Sequence, residues 1–71
     1  MPRVAAAYLR AACTHDAAAA FHERAAEFFD ERGNPESAAR ERESARLDRE
    51  GAAADRERAQ LCRERDASRL R

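Results

Sequence analysis

Seventy-one residues allow one small domain, and 39% of them are charged, with 14 basic residues balanced by 14 acidic ones for a net charge of zero. That balance excludes a general binder of phosphate backbones, which needs a basic face, and an electrostatic membrane anchor. No run of about 18 apolar residues is present, so no segment is predicted to span a bilayer.

The Ala-rich start carries Arg10, His15 and Asp16, which makes it a poor signal peptide, and the cytoplasm is the expected compartment. A chain built from Ala, Arg and Glu, with only two glycines and two prolines, reads as long helix or coiled coil. Pro2 suits a helix start, and from Arg3 to Arg32 neither proline nor glycine interrupts. The expected seam of this first helix is Val4, Tyr8, Ala11, His15, Ala18, His22, Ala25 and Phe29, spaced alternately four and three. Phe21 and Phe28 lie beside it, and Asp16, Glu23, Glu27 and Asp30 are assigned to the opposite face. Thr14 followed by Asp16 is a weak internal capping signal.

Arg32-Gly33-Asn34-Pro35-Glu36 joins a helix stop to a helix start. Gly33 can take the left-handed conformation that closes a helix. Asn34 can cap the next helix through its side-chain oxygen. Pro35 fits a first helical position, and Glu36 meets the positive end of the helix dipole.

From Pro35 onward 19 residues are charged, ten basic and nine acidic, with opposite signs repeatedly at i, i+3 and i, i+4. Beneath the charge, Ala38, Ala45, Ala52 and Ala59 recur every seven residues. Leu47, Ala54 and Leu61 form a second stripe nearly opposite. Two stripes predict two contacts, one within the hairpin and one with another chain. Gly51 sits mid-helix, where it allows a neighbouring helix to approach closely.

The predicted architecture is therefore all-α: helix one over about 3–32, a turn at 33–35 and helix two over about 36–69, in one domain spanning 1–71. Two antiparallel helices with so few large apolar side chains bury little on their own, so a homodimer forming a four-helix bundle is expected. The expected core or interface residues are Val4, Tyr8, Phe21, Phe28, Phe29, Ala38, Ala45, Leu47, Ala52 and Leu61, with Gly33, Asn34 and Pro35 as turn and cap.

In a hairpin closed at Gly33, His22 falls between Glu41 and Asp48, and His15 between Asp48 and Asp55. Histidines and carboxylates in a bundle core are ligand chemistry for a metal, so His15, His22 and Asp48 are the candidate ligands of an alternative, metal-binding or metal-storage reading. The two histidines are two turns apart, roughly 10.5 Å, too far to share one ion directly. The plainer reading is a hydrogen-bonded polar seam that fixes register. No nucleophile–histidine pair and no glycine-rich phosphate loop is present, so neither enzyme activity nor a cofactor is expected. Cys13 and Cys62 match no metal or redox spacing and are expected as free thiols. Arginines interleaved with acids give a solvated face that suits protein docking, not nucleic acid.

Ala26, Phe29, Gly33, Ala38 and Ala45 resemble the positions around the turn of a tetratricopeptide repeat over about 20 residues. Arg42 and Glu50 stand where that repeat has an aromatic and a proline, and the stacked repeats of its peptide groove are absent. The Trp-x-Gly turn of small secreted helical hairpins is also missing. The functional expectation is a structural or protein-interaction module that self-associates, with a further protein partner allowed.

Overall fold

The chain reverses once, at Gly33. In the computed structural model, which describes residues 2–70, α1 runs Arg3–Glu31 and α2 runs Pro35–Arg69, packed as an antiparallel hairpin. The backbone N–H of Asn34 donates to Phe29 O (2.9 Å) and that of Gly33 to Asp30 O (3.1 Å), the paired bonds of a Schellman closure. Gly33 has φ +68°, and a Cβ placed on it would meet nothing within 4 Å. Backbone conformation alone therefore calls for glycine there. Asn34 caps α2 by accepting from the Ser37 N–H (3.2 Å), with Pro35 opening the helix.

Pro2 precedes α1 as its cap, without a side-chain hydrogen bond. The helix continues through Thr14, whose hydroxyl donates to Arg10 O (3.2 Å) instead of starting a new cap. α2 continues through Gly51. A Cβ there would stand 3.1 Å from the His15 ring, so this glycine lets a histidine of the other helix approach.

The hairpin core is alanine. Ala5, Ala12, Ala19 and Ala26 from α1, and Ala38, Ala45, Ala52 and Ala59 from α2, are at most 5% exposed, and no larger apolar side chain among the described residues is fully buried. This corrects the expected seam. The buried column of α1 lies one residue beyond Val4, Ala11, Ala18 and Ala25. An unbroken heptad of alanines lets the helices approach with one methyl per level, whereas a column that includes Val4 would hold them apart. Tyr8, His15, His22 and Phe29 lie beside the alanines, partly exposed, as do Ala11, Ala18 and Ala25.

The large apolar side chains are displaced outward. Val4 is 57% exposed, Phe21 61%, Phe28 47%, Leu47 53% and Leu61 52%, so none belongs to the hairpin's own core. Asp16, Glu23 and Asp30 also move from their assigned place: they flank the seam and pair with α2. They sit four residues after a buried alanine, about 40° round the helix, which is beside the contact and not behind it. Met1, the terminal apolar residue of the sequence, lies outside the described residues.

Burying eight methyl groups contributes roughly 6 kcal/mol at ~0.8 kcal/mol each. Replacing Ala19 by Leu is expected to lose about 1–3 kcal/mol by wedging the helices apart, read as a lowered urea midpoint; an unchanged midpoint would refute the close alanine contact. Gly33→Ala is expected to lose about 1 kcal/mol, the cost of a left-handed L-residue, with helix content unchanged by circular dichroism. A stability equal to the parent would show that the turn tolerates another backbone.

Candidate functional site: the polar seam and the uncovered apolar flank

Where a seam column usually carries Leu, α1 supplies Tyr8, His15, His22 and Phe29, and α2 supplies Glu41, Asp48, Asp55 and Cys62. Each histidine sits between two carboxylates. Nδ1–H of His22 donates to Glu41 Oε2 (2.6 Å), and its Nε2 stands 3.7 Å from Asp48 Oδ2. Nδ1–H of His15 donates to Asp48 Oδ1 (2.8 Å), and its Nε2 stands 3.9 Å from Asp55 Oδ2. Arg58 donates to Asp55 Oδ1 (2.9 Å) at the end of the row. Asp55 is 7% exposed, the one buried charged residue among those described. Its two oxygens face Arg58 and His15, the compensation a buried carboxylate requires.

Asp48, between the two rings, joins His15 and His22 into one network. No three His, Cys, Asp or Glu side chains among the described residues converge as an ion's ligand set. Both Nδ1 atoms already face carboxylates. Glu41 and Asp55 complete the network and were legible from the seven-residue spacing. Cys13 and Cys62 are free thiols, on separate parts of the hairpin surface.

The two flanks of the seam differ. On one, four residues after each buried alanine, Asp16 meets Arg49 (3.2 Å) and Arg56, Glu23 meets Arg49 (2.7 Å), and Asp30 meets Arg42. Arg56 and Arg49 beside Asp16 hold its carboxyl below the usual aspartate range, the Arg56 hydrogen bond being the largest cause. On α2 itself Arg46 bridges Glu43 and Glu50, and its hydrogen bond lowers the Glu43 pKa. The guanidinium values of Arg42, Arg46, Arg49 and Arg56 move up in return.

Antiparallel helices bring like positions to the same side. The residues one before each buried alanine therefore share the other flank: Ala11, Ala18 and Ala25 with Ser37, Ser44 and Gly51. The residues two after the alanines stand beyond them, and these include Phe21 and Phe28 on α1 and Leu47 and Leu61 on α2. Val4, Tyr8, Arg58 and Leu61 line one shallow groove at its open end, which locates both helices' contributions on one side. These four columns contain no carboxylate; their charges are Arg32, Arg40, Arg58 and Arg65. The Arg32 guanidinium lies 3.5 Å from the Phe28 ring centroid, a cation–π contact.

Two signals went unread in the sequence. The alanine column Ala5, Ala12, Ala19 and Ala26 repeats every seven residues, as plainly as the one in α2. Glu36, Glu43, Glu50, Glu57 and Glu64 also repeat every seven residues, making one column of α2 entirely acidic.

No family model matches the chain, and neither a curated protein nor a solved structure shows significant similarity to it.

His22→Ala is expected to cost about 1–2 kcal/mol, because the partly buried Glu41 carboxylate loses its donor while Asp48 keeps only His15, and added zinc is expected to leave the parent's melting temperature unchanged. A zinc-dependent rise that disappears in His22→Ala would establish the metal reading instead. Asp16 and Glu43 have folded pKa values below their ordinary ones, so the unfolded chain binds more protons between the two values. Their contribution is present above about pH 4.5 and is lost as pH falls through the folded values. Asp16→Asn is accordingly expected to flatten the acid limb of stability against pH; an unchanged limb would remove Asp16 from the pairing.

Proposed function

We propose that this hairpin is a non-catalytic structural or protein-interaction module of the cytoplasm that self-associates into a four-helix bundle through its uncovered apolar flank. One observation carries the reading. The hairpin's buried apolar residues are all alanine, while Phe21, Phe28, Leu47 and Leu61 remain about half exposed or more. Side chains of that size on one side of a two-helix rod leave an apolar patch of the kind that marks association sites in water-exposed proteins.

Stability supports the same reading. A chain this small buries a limited fraction of its surface by itself, and its core residues are the smallest apolar type. Covering the exposed flank with a second pair of helices gives each hairpin the large-residue core it lacks. No helix of the described residues is long and apolar enough to cross a membrane. The histidine–carboxylate row acts in this reading as a register device: each ring has its partners in one alignment of the helices, and a slip of one residue moves them apart.

Light scattering is expected to report twice the 8.0 kDa chain mass, and the melting temperature should rise with protein concentration, as mass action requires. A fully helical 8.0 kDa species at micromolar concentration, with a concentration-independent melt, would remove the proposal.

A further inference from the structure

We infer that the second copy docks with its long axis alongside the first and its helices exchanged, so that α1 of each copy lies on α2 of the other. This rests on the self-association proposed above and adds the arrangement and the residues that select it.

The selection is electrostatic. The columns that edge the apolar flank lie five residues after each buried alanine. On α2 that edge is Glu36, Glu43, Glu50, Glu57 and Glu64; on α1 it carries Arg3, Arg10 and Arg24. Among the described residues none of these three arginines makes an ion pair, and neither does Glu57. On the opposite flank, by contrast, Asp16, Glu23 and Asp30 are all paired. Glu43 and Glu50 share Arg46 within their own helix, yet the column stays acidic; an arginine edge on one side and a glutamate edge on the other are complementary to a copy turned half a revolution about the long axis.

Two twofold axes can stack these flanks face to face. An axis across the rod sets α1 on α1 and the glutamate edge on another glutamate edge, which repels. An axis along the rod sets the arginine edge on the glutamate edge twice, and every neighbouring helix is antiparallel. A rotation without translation also keeps the levels. His15 is level with Gly51, and each step forward along α1 is a step back along α2. Arg10 therefore meets Glu57 of the second copy, Arg24 meets Glu43, and Arg3 meets Glu64.

The apolar residues fall into the same register. Phe21 comes within about 3 Å of rise of Leu47 of the second copy. Val4 is level with Leu61 of the second copy, and the small residues Ala18 and Gly51 allow the helices between them to close. Glu31 is the one mismatch, level with Glu36 of the second copy, and Arg32 and Arg40 stand beside that pair. The flank from Val4 to Phe28 is roughly 36 Å long and two helices wide, about 700 Å² per copy, close to the ~800 Å² that stable pairs bury on each side.

The test uses two charge-reversed forms of the full chain, R10E/R24E and E43R/E57R, with sedimentation velocity and circular dichroism on each alone and on their equimolar mixture. Each form alone sets like charges together at four contacts and is expected to dimerise about tenfold or more weakly than the parent. The mixture restores opposite charges at all four and should dimerise as the parent does, in heterodimers. Parent-like dimers from each form alone, or no recovery on mixing, overturn the arrangement while self-association stands. A monomeric parent overturns both. Dichroism of each form alone distinguishes weakened docking from failure to fold, and a variant that lost its helices would be replaced by the single pair R10E and E57R, read the same way.

Discussion

Contact between two columns of alanine sets every other feature of this hairpin. One methyl per level brings the backbones close, and whatever stands next to the alanines is then within reach of the other helix. His15 can touch the Gly51 region and two carboxylates only because the axes are near. The charged flank closes for the same reason, with Arg49 spanning Asp16 and Glu23 on the facing helix. The same closeness excludes large side chains from the contact. Phe21, Phe28, Leu47 and Leu61 are pushed to the outside, and the hairpin's most apolar material becomes its surface.

That inversion links packing to the proposed function. A hairpin with leucines between its helices would be self-sufficient and would present a polar exterior. This one spends its seam on alanine and on a row of histidine–carboxylate hydrogen bonds. Such bonds contribute modestly to stability because the same groups are hydrated in the unfolded chain. Their value lies in direction. Asp48 accepts from His15 and faces His22, so sliding one helix by a residue would strand several polar groups at once. Register is thereby fixed by polar groups, and in the proposed dimer association is left to the apolar flank.

The reversal of the chain was legible in five residues, because Gly33, Asn34 and Pro35 each perform a local task that depends little on tertiary context. The α2 alanine column was legible too, since four alanines recur at seven-residue intervals in that charged helix and the other such stripe, Leu47, Ala54 and Leu61, is shorter and nearly opposite. The α1 column was misplaced by one residue. Alanine is so common there that Val4, Ala11, Ala18 and Ala25 offered an equally regular heptad, and Val4 looked the better core residue. Size decided against it, and size enters only when both helices are considered together. Asp16, Glu23 and Asp30 were misplaced for the related reason that they flank a seam whose centre had been set one residue early. The histidine partners survived this error, since Tyr8, His15, His22 and Phe29 lie beside either version of the seam.

The central claim is that the exposed flank of one hairpin is covered by the corresponding flank of another. The most direct measurement is an isotope-filtered NOE experiment on a mixture of labelled and unlabelled chains, which detects only contacts between copies. Cross-peaks from the Phe21 ring to the Leu47 methyls, and from Val4 to the Leu61 methyls, are the expected result. Filtered spectra without cross-peaks at these residues, under conditions where the chain is helical and concentrated, would contradict it.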